Sequence, residues 1–433
     1  HFDTAVSHLI NLFFMLAQEF TGAVATSAFD LYVAPFVRHD KLDPARVKQI
    51  LQGMLFELNY PARAGYQSPF TNITLVMDSA REMLEGRAIV SGKNVGRLGD
   101  YVEEALIVDR ALMELYLEGD ALHQPFTFPI PTILLTRDFD WNGRRWGDLT
   151  DLIFTVLARK GSAYLLNGYV VDVNSLFSMC CRLTVDISRL NSFALDPGDP
   201  GTRRSGLHGT WALPDATGSI GVVTINLPRL ALKSKGEWER FEELLYERLK
   251  VARSVLLTWR ERYERNLRAG LMPMTRVYLG HYGNHYNTFG VVGLPEAAAN
   301  FMREPTLWTE WNYRNVNEAV SVMRRMVAMI REAASEFEEE DGQLYNVEEI
   351  PGESAAVSLA AKDYMMYREL AERGELALPG DGTAFFYSNS IIPYYVDVPL
   401  YRRALWEGEV QREFTGGVMM HLFLNESPDP AAL

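Results

Sequence analysis

Residues 217–229, "TGSIGVVTINLPR", followed by residues 236–270, "GEWERFEELLYERLKVARSVLLTWRERYERNLRAG", decide how the chain is built. The first string is a short apolar, β-branched run with Gly218 and Gly221 around Ser219, and it stops at Asn226-Leu227-Pro228. It predicts a turn and then a strand with Asn226 at its exit. The second is long and polar except for Phe241, Leu245, Leu249, Ala252 and Leu256. That spacing puts one apolar stripe on a helix. A strand apolar on both faces, handed on to an amphipathic helix, points to an α/β fold with helices outside a sheet.

The same alternation extends in both directions. Further strands are expected in "FTFPIPTILLT" (126–136), "SAYLLNGYVVDV" (162–173), "TRVYLG" (275–280), "TFGVVGL" (288–294), "AFFYSNSII" (384–392) and "GGVMMHLFL" (416–424). The first 120 residues look mostly helical. In "DPARVKQILQGMLFELN" (43–59), Asp43-Pro44 supply a cap and first turn, and Val47, Ile50, Leu51, Met54 and Leu55 share a face. "NVGRLGDYVEEALIVDRALMELYLEGD" (94–120) repeats the pattern. "NVNEAVSVMRRMVAMIREAASEFEEEDG" (315–342) is another long helix, expected to end in a solvated acidic run and a Gly. The Gly/Pro-rich stretch 195–211 reads as a surface loop.

Composition narrows the function. The 433 residues are 48% hydrophobic and 23% charged, as in a globular protein with a large core. A net charge of -14 argues against a nucleic-acid-binding surface. No apolar run reaches the roughly 18 residues of a membrane span. The start carries no basic segment or cleavage site of a signal peptide. The only two cysteines, Cys180 and Cys181, are adjacent in "FSMCCRLTVD" (177–186). Neighbouring cysteines bridge poorly, and no second pair completes a zinc tetrahedron. The chain therefore reads as one from a reducing, cytoplasmic compartment. Packing explains the two thiols, and so does redox or radical work.

Other candidates are weaker. Ser388, Asn389 and Ser390, after a strand and shortly before a helix in 386–409, suit a phosphate cradle; they suit plain caps as well. Neither a GxxxxGK[ST] loop nor a GxGxxG after a strand is present. His281 and His285 have an i, i+4 spacing, but the Gly283-Asn284 context favours a loop over a metal site. Glu353 fits a first-turn helix carboxylate, and His421 a satisfied histidine on a strand.

The strings "QEFTGAVATSAFDLYVAPFV", "PFTNITL", "PIPTI", "MCCRL", "TGSIGVVTINLPR", "TFGVVGLPEA", "PGESAAVSLAAKD", "YSNSIIP" and "FTGGVMMHLFLNE" follow one another as in the anaerobic (class III) ribonucleoside-triphosphate reductases. The chain resembles that glycyl radical enzyme family from about residue 18 to 426. The resemblance implies a ten-stranded α/β barrel with helices outside and a cysteine-bearing loop inside. It implies one catalytic barrel domain over 1–433, with 1–120 mostly helical and carrying the effector and dimer surface, and 121–433 carrying barrel strands and helices.

The implied reaction is reduction of ribonucleoside triphosphates to 2′-deoxyribonucleotides, with a thiyl radical abstracting the ribose 3′-hydrogen. The family's Met-Gly-Cys-Arg resembles Met179-Cys180-Cys181-Arg182, so Cys181 falls on the radical cysteine and Cys180 replaces a small neighbour. Ser219 falls where many members carry an Asn facing the ribose, and Asn226 is expected on the same wall. Ser388-Asn389-Ser390 becomes the substrate-phosphate loop.

The implied cofactors are a glycyl radical outside this chain, installed by a radical-SAM activase, and dNTP or ATP effectors. Formate or a thioredoxin-like protein is the implied reductant. The ATP-cone, a C-terminal zinc site and the radical glycine would lie outside residues 1–433. A homodimer is implied, with neither nucleic acid nor membrane as partner. Gly22-Ala23-Val24 departs from the family's usual Gly-Ala-Gln or Gly-Gly-Gln, so no effector contact is carried over. Two other readings stand beside this one: a lyase of the pyruvate formate-lyase type, and a non-catalytic, nucleotide-binding truncated paralogue.

Overall fold

A computed structural model describes residues 1–169, 176–178, 184–186, 217–380, 382–424 and 426–432. In the N-terminal half the order is α1 (Phe2–Glu19), β1 (Val24–Thr26), α2 (Phe29–Asp40), α3 (Pro44–Asn59), β2 (Thr71–Leu75) and α4 (Arg81–Leu84). The hairpin β3 (Arg87–Val90) and β4 (Lys93–Arg97) follows, then α5 (Val102–Glu118), β5 (Ile130–Leu135), α6 (Leu149–Lys160) and β6 (Tyr164–Asn167). Strands β1, β2, β5 and β6 form one parallel sheet in that order. The sheet crosses residue 120, so the helical opening and the strands that follow belong to one layer system.

Two three-residue strands come next, β7 (Leu176–Ser178) and β8 (Thr184–Asp186), paired antiparallel. The C-terminal half holds β9 (Gly218–Asn226), α7 (Leu227–Ser234), α8 (Trp238–Arg268), α9 (Pro273–Tyr278), β10 (His285–Val292) and α10 (Leu294–Met302). It continues with α11 (Tyr313–Asp341), β11 (Tyr345–Glu349), α12 (Glu353–Met366), α13 (Arg368–Glu372) and α14 (Leu400–Gln411). Strands β9, β10 and β11 form a second parallel sheet with β10 in the middle. Among the described residues the two parallel sheets are not hydrogen-bonded into one closed ring.

Local chemistry accounts for most elements. Asp43 accepts the Arg46 N–H at 2.8 Å, and Pro44 opens α3. The stripe Phe241, Leu245, Leu249, Ala252 and Leu256 of α8 is buried in one core with Phe289, Met323 and Phe337 and with the outer faces of β9–β11. A second core joins α1, α3, α5 and α6 to Ile73, Leu75 and Ile133 of the first sheet.

Three expectations fail, each for a tertiary reason. "TRVYLG" falls on helix α9 and its C-terminal exit, because Pro273 sets the first turn and the distant Glu19 carboxylate accepts the Met274 and Thr275 N–H groups, both at 2.8 Å. "AFFYSNSII" is irregular apart from a lone bridge between Phe385 and Gly380, since its backbone N–H groups are drawn to scattered acceptors, Phe386 to the Pro379 carbonyl, Tyr387 to the Ala356 carbonyl and Ser388 to the Glu296 carboxylate. "GGVMMHLFL" only brushes β11, through Gly416 N–H to the Val347 carbonyl and Glu349 N–H to the Gly417 carbonyl. The acidic end of α11 is also less solvated than its composition suggests. Glu338 is buried and accepts the Tyr345 N–H at 2.9 Å, and Asp341 pairs with Arg253.

Candidate active site

The three parallel strands β9, β10 and β11 each hand over to a helix at their C-terminal ends: α7, α10 and α12. Helix N-termini gathered there offer N–H groups and partial positive charge, the usual place for an anionic ligand in a parallel α/β sheet. The strands also have two unlike faces. Val223, Ile225, Phe289, Val291, Tyr345 and Val347 pack outward on the helices. The inward face carries Ser219, Thr224, Thr288, Gly290, Asn346 and Glu348 by strand alternation. A register shift at Tyr286/Asn287 makes Ile220 an extra residue and turns Ser219 to that inward face. There its hydroxyl lies 2.7 Å from that of Thr288. A Cβ on Gly290 would come within 2.7 Å of Val222 and 3.0 Å of Ile350, so only glycine lets this face stay flat.

At the strand ends two buried carboxylates organise the chain. Asp363 of α12 accepts from Asn226 Nδ2 at 2.8 Å, from Tyr387 Oη at 2.7 Å and from Arg229 Nε at 2.5 Å. Asn226 Oδ1 meanwhile caps α7 through the Arg229 N–H at 3.1 Å. Burial, and then Asp363, push the Tyr387 phenol far above its ordinary pKa. Glu296 of α10 accepts from Ser388 Oγ at 2.6 Å and from the Ser388 N–H at 3.0 Å. Burial raises this carboxyl to about 7 against the pull of those two donors.

The structure thus brings Asn226 and the 388–390 loop together, through Asp363 and Tyr387. It does not bring Ser219 to them. Ser219 and Asn226 stand near opposite ends of β9, seven residues apart, which is about 23 Å at ~3.3 Å per residue. One strand cannot put both on the same sugar, and Asn226 is a helix cap tied to Asp363. The loop itself differs from the expected cradle. Helix α14 starts ten residues after Ser390, at Leu400, so the helix N-terminus beside the loop is that of α10, where the Gly293 N–H meets the Ser388 carbonyl at 2.8 Å. Ser388 is held by Glu296, Asn389 Nδ2 donates to the Pro351 carbonyl at 2.9 Å, and Ser390 Oγ donates to the Ile392 carbonyl at 3.0 Å.

Cys180 and Cys181 lie outside the described residues, as does the 195–211 stretch. Strands β7 and β8 pair the chain on either side of the two cysteines, with Ser178 opposite Thr184. His281 and His285 do not share a helix. His281 Nδ1 accepts the Gly283 N–H at 3.0 Å in a loop, while His285 is buried beside Phe20 and driven to about 3 by burial and Arg260. Glu353 is exposed in the first turn of α12, and His421 stacks on Phe423. Glu296, Asp363, Thr288 and Asn346 were not singled out from sequence. A lone Glu in "LPEAAAN" and a terminal Asp in "SLAAKD" were the available signals.

A family model described as anaerobic ribonucleoside-triphosphate reductase matches residues 1–433. The anaerobic ribonucleoside-triphosphate reductases of Escherichia coli (strain K12) and Salmonella typhimurium are 26% and 25% identical over 201 and 199 residues. Each match takes in 42% of this chain and 25% of the relative, so the matched part of the chain spans a quarter of the length of those curated relatives. A solved anaerobic ribonucleotide reductase superposes with a TM-score of 0.72 at 24% identity, covering 100% of this chain and 62% of that one. The Thermotoga maritima anaerobic ribonucleotide reductase in complex with dATP and CTP gives 0.69 at 21%, covering 100% and 67%. These likenesses fix a mixed α/β fold of that type, and no described helix is long and apolar enough to cross a membrane. With the family model matched from the first residue to the last, the chain belongs to the anaerobic ribonucleoside-triphosphate reductase family.

Proposed function

We propose that these residues form the catalytic α/β barrel of an enzyme that reduces ribonucleoside triphosphates to 2′-deoxyribonucleoside triphosphates. The match of the family model to all 433 residues carries this reading. In it, the two parallel sheets, of four and three strands, are parts of one ten-stranded barrel, and the polar inward face of β9–β11 lines its interior. Cys180 and Cys181 fall in sequence between the paired strands β7 and β8.

Cys181 is the residue that acts on the substrate, with Cys180 as its small neighbour. A glycyl radical on a segment outside these residues, installed by a radical-SAM activase, supplies the oxidising hydrogen-atom acceptor for that thiol. The Cys181 thiyl then takes the ribose 3′-hydrogen. The 2′-hydroxyl takes up a proton and leaves as water with cleavage of the C2′–O bond. Two electrons and a second proton, from formate released as CO2 or from a thioredoxin-like dithiol that becomes a disulfide, complete the reduction before the 3′-hydrogen returns. An apolar, water-excluding surround favours such chemistry because a thiyl is quenched by any competing hydrogen donor.

Ser219 serves the sugar end of this face. The strand ends near Asn226, with the α7, α10 and α12 N-termini and the loop Ser388, Asn389 and Ser390, serve the phosphate end. Ser388 and Ser390 shape the loop there, since both hydroxyls are committed to protein acceptors. A solved Thermotoga maritima anaerobic ribonucleotide reductase has dATP bound in its specificity site. Nucleotide effectors are proposed here on that analogy, and a homodimer and a zinc site outside these residues are proposed from the family resemblance alone.

Anaerobic turnover of the native enzyme with Cys181→Ala tests the assignment. Deoxynucleotide formation is expected to fall by at least about a thousandfold, with folding intact, because a residue that forms the reacting bond has no substitute. Turnover near the wild-type rate would overturn it.

A further inference from the structure

Asn346, on the inward face of β11, is fully buried, and among the described residues neither its amide oxygen nor its amide nitrogen has a hydrogen-bond partner. A buried amide that leaves every bond unmade is costly and calls for an occupant. Its surroundings are built around it. Thr288 is its register partner on β10, and the Thr288 hydroxyl is 2.7 Å from that of Ser219 on β9. Three polar side chains therefore run across three adjacent strands, and only the amide has all its capacity unspent. On the other side, a Cβ on Gly416 would lie 2.9 Å from Asn346 Nδ2, so the amide fills space that any other residue there would take.

We propose that the Asn346 amide is a substrate contact that hydrogen-bonds the vicinal hydroxyls of a ribonucleotide's ribose. This rests on the reading above that the inward face holds the nucleotide. The chemistry selects the sugar. An amide offers an acceptor oxygen and two N–H donors side by side, which matches two adjacent hydroxyls, each donor and acceptor at once. A fully ionised phosphate only accepts hydrogen bonds, so at this point it would leave the amide oxygen without a donor. Phosphates belong at the helix N-termini, further along the strands.

Equilibrium binding of CTP and of its 2′-deoxy analogue to the native enzyme tests the contact. Asn346→Ala is expected to weaken CTP by about tenfold and the deoxy analogue by much less, so that the ratio of the two affinities collapses. The melting temperature should hold or rise, because the variant deletes an amide that no protein group satisfies; a purely structural asparagine would lower it. Gly416→Ala, whose methyl crowds the amide, should reduce the same ratio in part and keeps the test open should Asn346→Ala misfold. An affinity ratio equal to wild type in the folded variants overturns the proposal and leaves a trapped water as the occupant. Cys181→Ala, assayed in parallel, separates the failures. Absence of deoxynucleotide product from the unaltered enzyme sinks the reduction reading, product formed by Cys181→Ala sinks the thiyl assignment, and an active wild type with a dead Cys181→Ala beside an unchanged ratio sinks only the Asn346 contact.

Discussion

Two centres of buried carboxylate, one in each half of the chain, are solved in opposite ways. In the C-terminal half Asp363 and Glu296 are each met by donors from distant parts of the sequence: Asn226, Arg229 and Tyr387 for the first, Ser388 for the second. In the N-terminal half Asp30 of α2 and Asp109 of α5 are both fully buried together. Asp30 Oδ2 accepts the Val76 and Met77 N–H groups at 2.9 and 2.6 Å. Among the described residues, no donor from outside the pair reaches Asp30 Oδ1 or either oxygen of Asp109. Only a proton held between the two carboxyls lets one donate to the other. Burial lifts Asp30 to about 6, and burial with Asp30 lifts Asp109 well above the carboxylate range. One centre uses its charge to pin a loop to the strand ends; the other gives its charge up.

The contrast can be broken at its strongest point first. Asp363→Ala should destabilise the protein by about 3 kcal/mol, since it leaves the partly buried Arg229 without its carboxylate and frees Asn226 and Tyr387 together. Thermal denaturation would show it, and a loss under about 1 kcal/mol would mean that the three donors find other partners.

The N-terminal pair sharpens the contrast through pH. A carboxyl whose folded pKa is raised favours folding most fully below its unfolded value near 4. Stability from Asp30 is therefore lost as pH rises from about 4 to about 6, and Asp109 extends the loss upward. Asp109→Asn should remove the share of that loss that Asp109 contributes. The stability difference between variant and wild type is expected to grow with pH to about 2 kcal/mol near pH 8, read from urea midpoints at several pH values. A pH-independent difference would say that the pair does not share a proton.

Ser388→Ala is the smallest step, removing one of two donors to Glu296 while the backbone N–H stays. A cost of about 1–2 kcal/mol is expected at pH 8, where the carboxyl is ionised, and less at pH 6, where it holds its own proton. Equal costs at both values would take Glu296 out of the titrating set.

The same contrast explains what could be read in advance. The stripe on α8, the Asp43 cap on α3 and the strands β5, β6, β9 and β10 rest on neighbours within a few residues, and each was legible in composition and spacing. Strand β11 was hidden in "YNVEE", where buried Glu348 and Glu349 break the apolar pattern. Helix α9 was hidden because its cap, Glu19, lies more than 250 residues away. The candidate site was half legible. Asn226 and the 388–390 loop were recognised as strings, but Asp363, which joins them, has no local signature.

By itself the sequence determined the α/β alternation, the helix faces and the family, because periodicity, caps and motif order are properties of neighbouring residues. Only the tertiary structure decided that Ser219 and Asn226 serve different ends of β9, that a carboxylate lies beneath the supposed phosphate loop, and that the Asn346 amide stands unsatisfied on the inward face. Those are matters of which side chain meets which across strands, and desolvation assigns them a cost only once the chain has closed around them.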